Sequence, residues 1–268
     1  MDPSLIIGLV LAFGSVVAIV TLEGSHITSL LLPPPMILVF GATIAVGLAG
    51  NTVKDTLRAF KAVPRAFLGK PPKPQDSIDG LIALAEKARA EGLLALEAEA
   101  TDADDPFLAG ALQNIADGTD AEELRILMED QIATKARVDH ADSKFFAALG
   151  GYAPTIGIIG TVVSLTHVLE NLSSPEALGP MIASAFVATL WGLLSANFIW
   201  LPISARIARL SELEVERMNL VMEGVLAMQG GAQPLLLAER LRAMVADTGS
   251  SDKGDKGKGS ADADRAAA

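Results

Sequence analysis

The chain has 268 residues, half of them hydrophobic, and a formal net charge of −11. A mean hydropathy of +0.41 is too apolar for an ordinary soluble domain and points to membrane insertion. The absence of Cys excludes disulfides and thiolate metal sites, the scattered His26, His140 and His167 suggest no metal cluster, and the acidic balance argues against a nucleic-acid binder.

In chain order, the first apolar run covers residues 5–22, and a second follows at 36–53. The opening MDPS has no Lys or Arg, and a second run follows soon after, which argues against a cleaved signal peptide. Between the runs, EGSHITSLLLPPP carries three prolines, expected to hold an extended stop before the second run. Residues 54–68 place Val53, Leu57, Phe60 and Val63 at helical spacing among basic side chains, so this helix can rest at an anionic inner leaflet. After the Pro-rich break GKPPKPQD, Asp76 or Ser77 can cap a helix through IDGLIALAEKARAEG. Asp105-Pro106 starts the next helix, which Gly118 ends. Thr119 with Glu122 forms a capping box before a run with no Pro or Gly until Gly150, so one helix is expected to extend from the cytoplasm into the third apolar run.

The third and fourth runs, FFAALGGYAPTIGIIGTVVSLTHVLE and MIASAFVATLWGLLSANFIWLPIS, each match the ~20 residues that cross a hydrocarbon core of roughly 30 Å. Small residues recur in both: Gly150, Gly151, Gly157 and Gly160, then Ala185, Ala188, Gly192 and Ala196. Such residues let helix backbones approach closely inside lipid. The fourth run is expected to continue inward as a helix stopped by Gly230-Gly231, and Gln233-Pro234 begins another to about Asp247.

The Lys/Arg distribution sets the topology. Connectors 23–35 and 171–180 have none, whereas Lys54, Arg58, Lys61 and Arg65 follow the second run and Arg206, Arg209 and Arg217 follow the fourth. Both termini and the middle segment are therefore expected in the cytoplasm. The reading is an all-α integral membrane protein: transmembrane helices 1 and 2 in 1–53, a helical cytoplasmic domain in 54–144, transmembrane helices 3 and 4 in 145–204, cytoplasmic helices in 205–247, and a disordered tail in 248–268.

Ion transport through a membrane normally needs an ionisable side chain at depth. These runs contain none near mid-depth; His167 and Glu170 fall at the outer end of the third. A titrating carboxylate must then come from another chain. Thr161 and Thr189 are the best candidates for lining a polar path, with Ser164 and Ser195 weaker. The competing reading is that each hydroxyl bonds the i−4 carbonyl of its own helix. Pro154 and Pro202 each free a backbone carbonyl and can bend a helix at its cytoplasmic end, with or without a role beyond the bend. No nucleotide loop, nucleophile elbow or hydrolytic carboxylate pair is present in the sequence.

YAPTIGIIGTVVSL, AFVATLWGLLSANFIWLPIS and KARAEGLLALE together resemble the A subunit of the bacterial flagellar stator, the MotA/PomA family, and the likeness covers roughly residues 1–245. The resemblance implies a homo-oligomeric ring, a pentamer around a B-subunit dimer of MotB/PomB type, in the bacterial inner membrane. The B helix would supply the ion-binding Asp, and ion passage would turn the ring against the rotor protein FliG. By the same carry-over Pro154 and Pro202 couple ion occupancy to helix movement, Thr189 lines the ion path, and Arg89 and Glu97 meet oppositely charged rotor residues. Those two can instead be solvated or paired within their own domain. The transported ion, H⁺ or Na⁺, stays open, and no cofactor is implied. Alternatives are a proton-driven transducer of ExbB/TolQ type and a non-conducting membrane scaffold; an enzyme has no supporting constellation.

Overall fold

A computed structural model describes residues 3–245; the expected disordered tail at 248–268 lies outside them. The described residues form helices and no strands: α1 (Ser4–Leu22), α2 (Pro33–Ala49), α3 (Val53–Leu68), α4 (Pro74–Glu91), α5 (Leu96–Asp102), α6 (Pro106–Ala116), α7 (Ala121–Glu170), α8 (Pro175–Ser195), a π-helical turn (Ala196–Trp200), α9 (Leu201–Gln229) and α10 (Pro234–Met244).

The spine is an antiparallel pair, α7 against the unbroken rod of α8, π turn and α9. With 50 residues, α7 is about 75 Å long at ~1.5 Å per residue, far more than a bilayer core requires. It therefore runs through an apolar half and a charged half without a break. Ser143 on α7 and Ser204 on α9 lock the two rods where these halves meet. Each hydroxyl donates to the other residue's carbonyl oxygen, at 3.0 Å and 2.8 Å.

Two cores flank this lock. The outer-facing one gathers Phe145, Phe146, Leu149, Ala153, Trp200 and Ile203 from the spine, with Ala59 and Ala66 from α3. Its aromatic rings pack edge-on, Phe60 against Phe145 and Phe146, and Phe146 stacks on Trp200. The other core, in the charged half, holds Ile78, Leu81, Leu96, Leu112, Leu124, Val221, Val225 and Leu241, closing α4, α5, α6 and α10 around the ends of α7 and α9.

Three described helices are long and apolar enough to cross a membrane: α1, α7 and the α8–α9 rod. A fourth, α2, is apolar but has 17 residues. Most apolar side chains of α1 point outward, Val10 at 65% and Leu11 at 69% exposure, as lipid or a neighbouring chain would require.

Several local expectations change. Pro33, Pro34 and Pro35 are not an extended stop but the first turn of α2. Helical first-turn N–H groups have no intrahelical partner, so their loss costs nothing there. The helix also ends at Ala49, and Val53 belongs to α3, because Thr52 starts a new helix: its hydroxyl accepts from the Asp55 N–H at 3.1 Å. α4 begins at Pro74 rather than after an Asp76 or Ser77 cap, again because proline fits the first helical position. The Thr119 box gives way to Asp120, whose carboxylate accepts from the Glu122 N–H at 2.9 Å. α5 was not foreseen.

Candidate functional site

Gly157 on α7 and Gly192 on α8 have no side chain to separate them, so the two backbones touch. One turn toward the outer side on each helix stand Thr161 and Thr189. Their hydroxyl oxygens are 2.5 Å apart. The Thr161 hydroxyl also lies 3.1 Å from the Gly157 carbonyl oxygen and 3.0 Å from that of Ala185, across the seam. One hydroxyl has one proton, so Thr161 can donate to only one of these acceptors at a time. With Thr189 donating to Thr161, the Thr161 proton goes to one of the two carbonyls. The i−4 carbonyl anticipated as the partner of a membrane threonine is thus within reach of Thr161, in competition with the Ala185 carbonyl of the second helix.

Four oxygens converge here, two hydroxyl and two carbonyl. Both threonines are half-buried, at the edge of the helix seam. No carboxylate shares the site: along the apolar parts of α7 and α8, Glu170 and Glu176 stand at the outer ends, and among the described residues no group of His, Cys, Asp and Glu could hold a metal. Oxygen dipoles can order water or replace part of a cation's hydration, but they cannot take up a proton at neutral pH. Ser164, further along α7, is half-buried and outside this contact. Ser195 is fully buried and donates to the Gly192 carbonyl at 3.2 Å, holding its own helix.

The two prolines lie toward the inner side. Pro154 is inside α7, where its missing N–H leaves the Gly150 carbonyl without its helical partner. Pro202 follows the π turn, and the Leu201 N–H there reaches back five residues to the Ala196 carbonyl. A π turn widens the helix ahead of a proline ring that would otherwise crowd the Phe198 carbonyl. Pro202 also lines a cleft of about 480 Å³ between α1 and α9, with Phe198, Asn197 and Leu9.

Arg89 and Glu97 sit far along the chain's other lobe, at the end of α4 and the start of α5. Gly92, at φ 88°, turns the chain between them, a conformation open to glycine and strained for other residues. Both side chains are exposed and neither forms an ion pair among the described residues. Their neighbours pair instead: Lys87 Nζ lies 2.6 Å from Glu99 Oε1. The pairing of Arg89 with Glu97 inside the domain is therefore absent.

A charged clamp at the inner end of the apolar half went unforeseen. Arg58 Nε donates to Asp142 at 2.9 Å, Arg65 to Asp139 at 3.0 Å, and Lys135 pairs with Asp139 as well. Burial raises the Asp142 carboxyl, against the pull of Arg58. Burial also opposes ionisation of Asp139, but Lys135 and Arg65 outweigh it and hold that carboxyl below its ordinary value. The spacing alone carried a signal: Arg58 and Arg65 are two helical turns apart, and Asp139 and Asp142 are one apart.

The sequence matches the MotA/TolQ/ExbB proton channel family over residues 99–220 and the motility protein A N-terminal family over residues 6–92. Motility protein A of Treponema phagedenis is 36% identical over 90% of this chain and 93% of its own length. The chain belongs to the motility protein A family. Motility protein A of Bacillus subtilis is 33% identical over 96% of this chain and 98% of that protein, and the chemotaxis protein PomA of Vibrio alginolyticus 32% over 90% and 94%. Among solved structures, C. jejuni MotAB superposes with a TM-score of 0.88 at 26% identity, covering 93% of this chain and 98% of that one. The flagellar MotAB stator complex from Bacillus subtilis gives 0.83 at 30% identity, covering 90% and 95%. As a motility protein A, this chain is an ion-driven subunit of the flagellar stator, a membrane protein that works in an oligomeric assembly with a MotB-type partner.

Proposed function

We propose that this motility protein A forms a pentameric ring in the bacterial inner membrane, with both termini in the cytoplasm and α2 crossing as the fourth span. A B-subunit dimer of MotB/PomB type occupies the middle of the ring. The observation that carries this reading is the Thr161–Thr189 contact at the rim of the α7–α8 seam, polar, accessible and without a carboxylate. The aspartate of a B helix completes it. Protonation or Na⁺ binding at that aspartate neutralises a charge that is costly in lipid. The hydroxyls of Thr189 and Thr161, with Ser164 nearby, order water or lend oxygens along the route. Motion follows at the inner ends, where Pro154 and Pro202 lower the cost of changing helix shape. Torque passes to FliG through Arg89 and Glu97. Such exposed charge contacts are worth about 1 kcal/mol or less, which suits an interface that releases at each step. Anionic lipid headgroups meet Lys54 and Lys61 on the outer face of α3.

The test uses cells in which this chain and its B subunit are the only stator. Swimming speed is followed against external Na⁺ and against pH, for the native chain, Thr189→Val and Arg89→Glu. Speed should track one ion gradient, Thr189→Val should lose it, and Arg89→Glu should lose torque with the complex assembled. Native swimming in both variants would sink the reading.

A further inference from the structure

The cleft of about 480 Å³ between α1 and the inner part of the α8–α9 rod is polar at one end only. Ser4 and Arg206 stand at its mouth, and Leu5, Gly8, Leu9, Ala12, Phe198 and Pro202 line its depth. Small side chains on α1 make the room: a methyl group added at Gly8 would meet nothing within 4 Å. The two walls match in length. Ser4 to Ala12 on α1 and Phe198 to Arg206 on the rod each cover about 12 Å at ~1.5 Å per residue, close to half of a hydrocarbon core of roughly 30 Å. At the outer end the rings of Phe13 and Phe198 pack edge-on, their centroids 5.5 Å apart, and shut the cleft near mid-depth.

We propose that one acyl chain of an inner-leaflet phospholipid occupies this cleft. The inference uses the orientation proposed above, with the start of α1 at the inner surface. An acyl chain enters from one surface and stops at mid-depth, which is the shape of a blind cleft one leaflet long. A helix from the B subunit or from another copy is about 10 Å across and would have to pass the Phe13–Phe198 contact to span the bilayer. Water finds few partners in the depth, where the one polar side chain, Asn197, donates to the Leu193 carbonyl of its own helix at 2.9 Å. An empty cleft forfeits dispersion contacts along both walls. Among the described residues of α1 only Leu5 is buried, so the cleft is continuous with an outward-facing apolar surface. Its place beside Pro202 gives the lipid chain a role. A bend of the rod there changes the shape of the cleft, and a fluid chain follows that change where close-packed side chains resist it.

The whole stator complex, this chain with its B subunit, is placed in lipid nanodiscs containing a phospholipid with a diazirine midway along one acyl chain. Adducts formed on illumination are mapped by mass spectrometry. They are expected on the cleft wall around Phe198 and Pro202, as well as on the outward-facing Val10 and Leu11. Gly8→Leu combined with Ala12→Leu fills the cleft. Excluding even a couple of CH₂ groups weakens binding roughly tenfold, so wall adducts should fall about tenfold relative to those at Val10 and Leu11. A native wall without adducts, or wall adducts that the filled cleft leaves unchanged, overturns the proposal. A second measurement needs no variant. Moving the diazirine toward the headgroup should shift the wall adducts from Phe198 toward Arg206, and an unmoved pattern overturns the proposal as well. The exposed Ser25, in the connector after α1, tests the orientation separately. Labelling of Ser25→Cys by an impermeant maleimide from outside the cell supports it; labelling from the inside alone overturns the orientation, while the wall adducts still decide the lipid site.

Discussion

Gly157 on α7 and Gly192 on α8 stand backbone to backbone: a methyl group on Gly157 would lie 2.9 Å from the Ala188 carbonyl oxygen, and one on Gly192 would lie 2.8 Å from that of Ala153. Those neighbours are main-chain atoms of packed helices and cannot swing aside. This contact places Thr161 within hydrogen-bonding distance of Thr189, and it leads to the first prediction. Gly157→Ala and Gly192→Ala should each cost about 1–3 kcal/mol through overpacking. Thr161 and Thr189 should separate in both. Reduced yield of assembled complex in detergent, with swimming lost before assembly is, is the expected readout.

Thr161→Val keeps shape and removes the hydroxyl that serves both helices. The net loss of hydrogen bonding is about 0.5–1.5 kcal/mol, small enough to leave the fold intact. Ion-driven swimming should nevertheless fall sharply, while Thr161→Ser retains most of it. Swimming kept by Thr161→Val and lost by Thr161→Ser would show that the methyl, and not the oxygen, matters here.

Pro202→Ala restores an N–H where the π turn now meets a proline ring. The helix should tighten to an ordinary α-helical register, with Phe198 regaining a partner for its carbonyl. Assembly with the B subunit should persist and rotation should slow; loss of assembly would make Pro202 structural only.

Asp139 supplies a pH dependence. Its carboxyl titrates below the ordinary value of 3.8 in the folded chain, so its contribution to stability is complete above that pH and disappears as pH falls through the lower, folded value. Arg65→Ala should move that loss to higher pH. The cost at neutral pH should be about 1–3 kcal/mol, less than the 3–5 kcal/mol for breaking a fully buried pair. Solvent screens Arg65, which is 38% exposed. Thermal unfolding of the purified complex in lipid nanodiscs between pH 3 and pH 7 checks both statements.

Phe146→Ala should lower stability by about 3–5 kcal/mol, since the ring is fully buried between Phe60, Phe145 and Trp200. The same thermal assay at neutral pH measures it.

Much of this was written in the chain as read end to end. The apolar runs, the missing charge at depth, the uninterrupted stretch that becomes α7 and the stop at Gly230-Gly231 are all properties of neighbours in sequence. Cost in lipid and hydrogen bonding within a helix act locally, so local pattern suffices to read them. The flagellar resemblance likewise rested on contiguous motifs. Boundaries fared worse where two starting signals competed. Proline at the first position won over Asp76 for α4, and Asp120 won over Thr119 for α7. In α2, the proline run was a helix start and not a stop.

Other features exist only once the helices pack. Thr161 and Thr189 are 28 positions apart and meet because two distant glycines let their helices close. Arg58 reaches Asp142 across 84 positions, and Gln229 reaches Thr119 across 110. Nothing local links such residues; their distance depends on crossing geometry and on the volume of every side chain between. Composition and order thus settled that this is a helical membrane chain whose apolar runs carry no carboxylate near mid-depth. Tertiary packing decided which oxygens face one another and which charges are clamped.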